Sequence, residues 1–550
     1  MKKILWILPL LFLFACNNYR ASRGPADWIY VSTTGNDGTG DGTSGNPYLT
    51  IATAISHASA GDTVFVKAGT YTISTQVAVG VAISLYTTEA VTIKAGAALN
   101  PMFYLASATE NTNGNQSISG FTFDGDSLAL IAIQVKGRGN VKIHGNTFNE
   151  FLTNAVRLTG KVANGDGPPV TAAEDNYVYN NTFTECGGEV FSTPYYYASG
   201  AISLGGQKDA RVYSNTINNN TGNYAYGINT NSQGYNAGCW ITENTIYTSP
   251  RRMDTYQWNF AIELWNNRGG MIVRDNFVTG SIDFGGYSTT DSAAYGFAAL
   301  CEHNTITQPA LQQYPQTGII IESDVSGGVQ VIRNLIKYCS TGIGLNLLSG
   351  PADVQSDITI AYNIIAETLT TGGNYTGRGI NHGTAVSGAV MNRLKILNNT
   401  FYNSLYVASA AVHFASSGVT YNDTEIRNNI SRRCYNAIRF ENNTIAGLDI
   451  TNNIFYLHTN ATSYVSVTAS DTTTTNNIGG DPLLKSDLRI PSNSPAYNAG
   501  INVGLTTDYF GHRVPQNDTV DIGAHEYGDY LIKIGGKFLR TANGKLIYIH

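Results

Sequence analysis

Three acidic residues, Glu263, Asp283 and Glu322, sit in short phrases of one form: AIELW (261–265), SIDFGG (281–286) and GIIIE (318–322). Glu263 and Asp283 stand between apolar neighbours with the period of a strand, which sends the acid to one face and the Ile, Leu and Phe to the other. Paired carboxyls on one face are the equipment for glycoside hydrolysis. One donates a proton to the leaving oxygen, and another acts as nucleophile or as base for a water. A separation of about 5 Å suits retention of configuration and about 6.5–9.5 Å suits inversion. Trp265, two residues beyond Glu263, offers an apolar ring face to a sugar. The segments PYYY (194–197), NYAYG (223–227) and PRRMDTYQW (250–258) precede strands of this face. They supply Tyr196, Tyr226, Arg252 and Trp258 as walls of a groove.

What brings distant acids together is a repeat. Asparagine recurs in HGNTF (Asn146), YNNTF (Asn181), YSNTI (Asn215), TENTI (Asn244), RDNFV (Asn276), EHNTI (Asn304), IRNLI (Asn334), AYNII (Asn363), LNNTF (Asn399), RNNIS (Asn429) and TNNIF (Asn453), at spacings of 24 to 36 residues. A fixed phrase with elastic loops marks a solenoid, whose units are too small to bury their own apolar faces and must stack. Residues before each Asn alternate apolar and polar, as in a strand. An Asn after each strand suits a left-handed turn and a hydrogen bond to the Asn of the next coil, an in-register ladder. These features predict a parallel β-helix. Aligning the strands after each Asn predicts an outward column of Gln134, Arg157, Ser203, Asn229, Glu263, Asp283, Ile320, Gly344, Asn381, His413 and Arg439. A second column, two residues on, runs Lys136, Thr159, Gly205, Asn231, Trp265, Gly285, Glu322, Asn346, Gly383, Ala415 and Glu441. Neighbours within a column are about 4.8 Å apart. Glu263 and Asp283 become adjacent, Glu322 lies one coil further, and Arg157 and Asn229 are contacts along the groove. Acids on an outer face are ordinarily solvated, and a slip of one residue would turn all of these side chains inward.

Composition agrees with an all-β chain of 550 residues: 58 Gly, 34 Tyr and 13% charged residues. A net charge of −6 without a basic stripe argues against a nucleic-acid partner. Residues 1–16, MKKILWILPLLFLFAC, have two lysines, an apolar run too short to span a membrane, and Ala15 before Cys16. LFAC resembles the bacterial lipobox, which implies lipidation at Cys16 and export to the outer membrane or cell surface, with a periplasmic or secreted form as the alternative. Residues 17–27 read as a tether. The five later cysteines, an odd number without CxxC spacing, give neither a disulfide framework nor a metal site. Cys186, Cys339 and Cys434 each follow a ladder Asn by five residues and read as packing.

The ends carry resemblances. GNDGTG, NPYLTIATAI and GDTVFVKAGTY, within 28–72, resemble the start of secreted right-handed parallel β-helix proteins of the pectate-lyase-like superfamily. GGDPLLKSDLRIPSNSPAYNAGINVG (479–504), TTDYFGHRVPQ and DIGAHEYG (521–528) resemble the closing segment of bacterial relatives. Together they imply a right-handed single-stranded parallel β-helix over 73–480. A helical cap and first coil occupy 28–72, a closing segment 481–528 and a short β tail 529–550. The resemblance carries no catalytic residue over, because the NTD…DD…GHG…RIK pattern of the polygalacturonase kind is absent. A uronate lyase would need a base, for which Arg251, Arg252 and Arg268 are candidates, and Ca²⁺. Asp37 and Asp41 in the Gly/Asp loop are oxygen ligands of the type Ca²⁺ takes, although turn roles suffice for them. No cofactor is otherwise expected. The expected partner is a polysaccharide, cleaved by Glu263, Asp283 and Glu322 or only bound, as by an adhesin. Oligomeric state is left open.

Overall fold

A computed structural model describes residues 28–528 except 161–171, 188, 193–194, 199, 220–225, 231–233, 249–259, 286–295, 309–316, 323–324, 326, 347–353, 369–376, 385–387, 404–407, 415–417, 442, 466–467 and 517–518. It also describes a few short strands between 530 and 549; of 189–198 only backbone is described. Cys16 lies outside these residues. Among them no helix is long and apolar enough to cross a membrane.

Each coil contributes to three long parallel sheets, one of 18 strands and two of 14. The result is a right-handed parallel β-helix, the architecture of the pectate-lyase-like fold. A coil runs as Arg211–Tyr213 in the first sheet, Thr216–Asn219 in the second and Ile228–Thr230 in the third. The sequence reading placed a turn after the ladder Asn, where the structure has a short strand. Phe148 and Phe183 face inward there, stacked 5.0 Å apart.

The Asn ladder is continuous. Asn181 to Asn453 each accept from the main-chain N–H of the preceding Asn at 2.9–3.1 Å, Asn146 accepts from Phe121 N–H at 3.1 Å, and Asn477 adds a further step. Each Nδ2 also donates to a strand carbonyl, as Asn304 does to Val273 at 2.9 Å. The left-handed residue is the one before the Asn: Asn180, Glu243, Arg333 and Asn452 all have φ between 53° and 58°. The ladder Asn is thereby free to turn its amide into the interior. Buried amides need such partners because water cannot reach them.

The helix at the start spans Ile51–Ser56 and buries Ile51, Ala54 and Ile55 against the first strands. Residues of 479–528 do not continue the coils. They form a strap along the solenoid flank, where Val514 and Val520 cover Ile332, Ala361, Tyr362 and Leu397, and Ile490 and Ile522 cover Ile430 and Ile454. With little regular structure, the strap satisfies its amides with buried carboxylates. Asp508 accepts from His512 and Glu526 N–H, and Glu526 from Gln516 and Asp521 N–H. Arg333 donates to Glu302 at 2.5 Å and to Thr507 at 3.0 Å, fastening strap to solenoid.

Candidate functional site

The three acids lie on Phe260–Trp265, Ser281–Gly285 and Thr317–Glu322, consecutive strands of the third sheet. Ile262, Leu264, Ile282, Phe284, Ile319 and Ile321 are fully buried inside the solenoid, so the intervening residues face out. The pairing is Arg157 with Ser203, Ser203 with Asn229, Asn229 with Glu263, Glu263 with Asp283 and Asp283 with Ile320. Trp265 pairs with Gly285, and Gly285 with Glu322. Among the described residues the predicted columns hold, except that a bulge puts Thr384 rather than Gly383 opposite Asn346; Asn231 and Ala415 lie outside the described residues.

The expectation of solvated acids fails. Asp283 is 0% exposed and Glu322 4% exposed, although both stand on the outer face. Gly285 explains part of the geometry. A Cβ there would lie 2.7 Å from the Trp265 ring, so only glycine lets the indole lie flat across the next strand. From that position Trp265 Nε1 donates to Asp283 Oδ2 at 2.8 Å. Asp283 Oδ1 meets no amide or hydroxyl donor among the described residues, and the Glu322 carboxyl is its remaining hydrogen-bonding neighbour.

Two buried carboxyls in contact share a proton, because both cannot ionise in a dry site. Burial and the charges of Glu322 and Glu263 hold Asp283 well above the usual carboxylate range. Burial raises Glu322 as well, but the hydrogen bond from Asp283 opposes the rise. Both carboxyls are thus held up together, and the pair keeps one proton between them at neutral pH. Desolvation, with a contribution from Glu322, pushes Glu263 up to about 8, which keeps it a neutral acid at pH 7. Tyr226 packs edge-on against Phe260 at 5.6 Å beside these acids, and its hydroxyl is driven up by burial and by Glu263 and Asp283.

Asn229 is buried and accepts from Gly200 N–H at 3.0 Å. Arg157 donates to Asn154 at 2.8 Å on its own strand, four strands from Asp283. That is about 19 Å, too far to touch the same bond. Trp265 spends its N–H on Asp283 while its ring stays half-buried over Gly285. The Tyr196 side chain, Arg251, Arg252 and Trp258 lie outside the described residues. Arg268 sits in the turn after Trp265, its N–H bonded to Asn236 O, rather than in the acidic column. Asp37 accepts from Leu49 and Thr50 N–H and from the Thr50 hydroxyl, and Asp41 from Thr43 N–H, the turn roles weighed against a cation. Further along the face a second charged cluster forms, of which sequence reasoning missed Arg378. Arg439 meets Glu441 at 2.5 Å, and His413 stands 3.4 Å from Glu441. Burial and Arg378 push His413 down to about 4 and keep it neutral. His413 and Arg439 were already aligned in one column, but Arg378, at the start of its strand, falls outside both predicted columns.

The fold and register define a β-helix repeat protein with a carboxyl cluster on one outer sheet. Residues 33–296 match the model of a family described as a protein of unknown function, DUF1565. No curated protein matches the chain. Among solved structures, it is similar to a PL6 alginate lyase bound to a trisaccharide (14% identity, 86% of this chain and 92% of that one, TM-score 0.39). It is also similar to XylC bound to xylose (11%, 91% and 98%, 0.35) and to PfbA, a surface adhesin of Streptococcus pneumoniae (13%, 74% and 85%, 0.35).

Proposed function

We propose that the protein is an exported, lipid-anchored enzyme that hydrolyses glycosidic bonds of a polysaccharide at Glu263, Glu322 and Asp283. The observation that carries this reading is the register that sets three carboxyls on adjacent strands, with Asp283 and Glu322 buried on the outer face and Glu263 half-buried beside them. Glu263 is the acid: it gives its proton to the glycosidic oxygen as the bond to the anomeric carbon breaks. Glu322, charged while Asp283 keeps the shared proton, attacks that carbon or takes the proton of the water that does. Asp283 is a positioning residue that keeps Glu322 ionised, and Trp265 fixes Asp283 through its N–H.

The test incubates the protein lacking residues 1–16 with acidic and neutral polysaccharides, following reducing ends and the ultraviolet absorbance of unsaturated products together. Reducing ends alone, lost in Glu263→Gln and Glu322→Gln, are expected. Both signals rising would make the protein a uronate lyase and move the search to its arginines. Binding without cleavage would make it a glycan-binding adhesin.

A further inference from the structure

We propose that Asp508, His512 and His525 form a site for one divalent transition-metal ion of the zinc class, which staples two segments of the C-terminal strap to each other. One ligand atom from each residue lies within 4.8 Å of the other two. The residues are 0%, 1% and 3% exposed, so the site is screened from bulk solvent, and one trapped water completes a four-coordinate set. Two imidazoles and a carboxylate suit zinc, whereas calcium and magnesium take oxygen alone. Nothing in the cysteine spacing announced it, because two of its ligands lie four residues apart and the third thirteen further on.

The distances suit a cation. His512 Nδ1 stands 2.9 Å from Asp508 Oδ2. Zinc bonds of about 2.0–2.2 Å at a tetrahedral angle place neighbouring ligand atoms about 3.3 Å apart, so the pair opens by a few tenths of an ångström. The ion replaces the proton between these two atoms, and His512 keeps its own proton on Nε2. His525 brings Nε2, which is buried and without a hydrogen-bond partner among the described residues. When His525 ligates through Nε2, its proton moves to Nδ1. The Ile490 amide, now donating to Nδ1 at 3.2 Å, gives up that bond, the longest in the cluster.

Charge points the same way. Asp508, Asp521 and Glu526 are all at most 1% exposed and are linked through the backbone hydrogen bonds of the strap. Of the cations nearby, Arg333 is paired with Glu302, and Arg489, stacked over Phe510, is paired with Asp487. A dication supplies the positive charge that this buried group of acids lacks.

The test strips the protein lacking residues 1–16 with a chelator and titrates it with Co²⁺ and then Zn²⁺. One Co²⁺ per chain is expected, with the intense visible bands of a four-coordinate ion. Zn²⁺ displaces it, and the melting temperature rises with metal. His525→Ala should lose the bands, bind at least tenfold more weakly and melt at the same temperature with and without metal. His57→Ala, at the other end of the chain, should behave as the parent. No stoichiometric uptake by the parent protein, weak six-coordinate bands, or equal uptake by His525→Ala would overturn the site. Should His525→Ala not fold, the spectrum of the parent decides.

Discussion

At the scale of residues, the site depends on who holds the protons. Glu263 is pushed up to about 8, so it is a competent acid through neutral pH and loses its proton above that value. Cleavage should hold to near pH 8 and fall beyond it, and Glu263→Gln should abolish it without unfolding the chain. A pH–rate profile checks the first and assays on the folded variant the second. The same shift has a sign for stability. A carboxyl whose folded pKa exceeds its unfolded value near 4.5 favours folding fully only below that value, and the contribution is lost as pH rises through about 8. Glu263→Gln, which cannot ionise, should match the parent protein in melting temperature at pH 4.5 and exceed it at pH 9. The difference should reach no more than a few kcal/mol, because the side chain is partly exposed. Melting curves at the two pH values settle it, and equal curves at pH 9 would show that Glu263 is not desolvated.

At the scale of elements, glycine and asparagine control what neighbouring strands can do. Gly285→Ala should push the Trp265 ring off its strand, because the new methyl meets the indole at 2.7 Å. Overpacking of this kind costs about 1–3 kcal/mol. A red shift in tryptophan emission and loss of activity are expected even though no acid is touched. In the ladder, Asn304→Ala removes the acceptor for Asn276 N–H and Nδ2 and the donor to Val273 O, all buried. Leaving those groups unpaired costs about 1–3 kcal/mol for each that stays dry, so a loss of several kcal/mol is expected in denaturant unfolding. The ladder was legible from its spacing alone, since a repeated Asn phrase can be satisfied only by copies of itself. The left-handed residue before each Asn was not, because Glu243 and Arg333 carry no turn signal.

At the scale of the whole molecule, the strap makes the solenoid more than a stack of coils. Deleting 479–550 uncovers Ile332, Leu397, Ile430 and Ile454 on the flank, and the shortened protein should bind a hydrophobic dye and associate, which light scattering would detect. Unchanged monodispersity would mean that the flank needs no cover. The sequence by itself determined the parallel β-helix, the register of its strands and the adjacency of Glu263, Asp283 and Glu322, because a period of two and a repeated Asn fix which residues face out and which coils touch. Only the tertiary structure decided the rest. It buried Asp283 and Glu322 on a face that the pattern marks as outward, laid Trp265 across Gly285, and folded a distant segment back so that Asp508, His512 and His525 meet beside Tyr362. Burial and long-range contact are properties of the assembled surface, and no local pattern of polar and apolar residues encodes them.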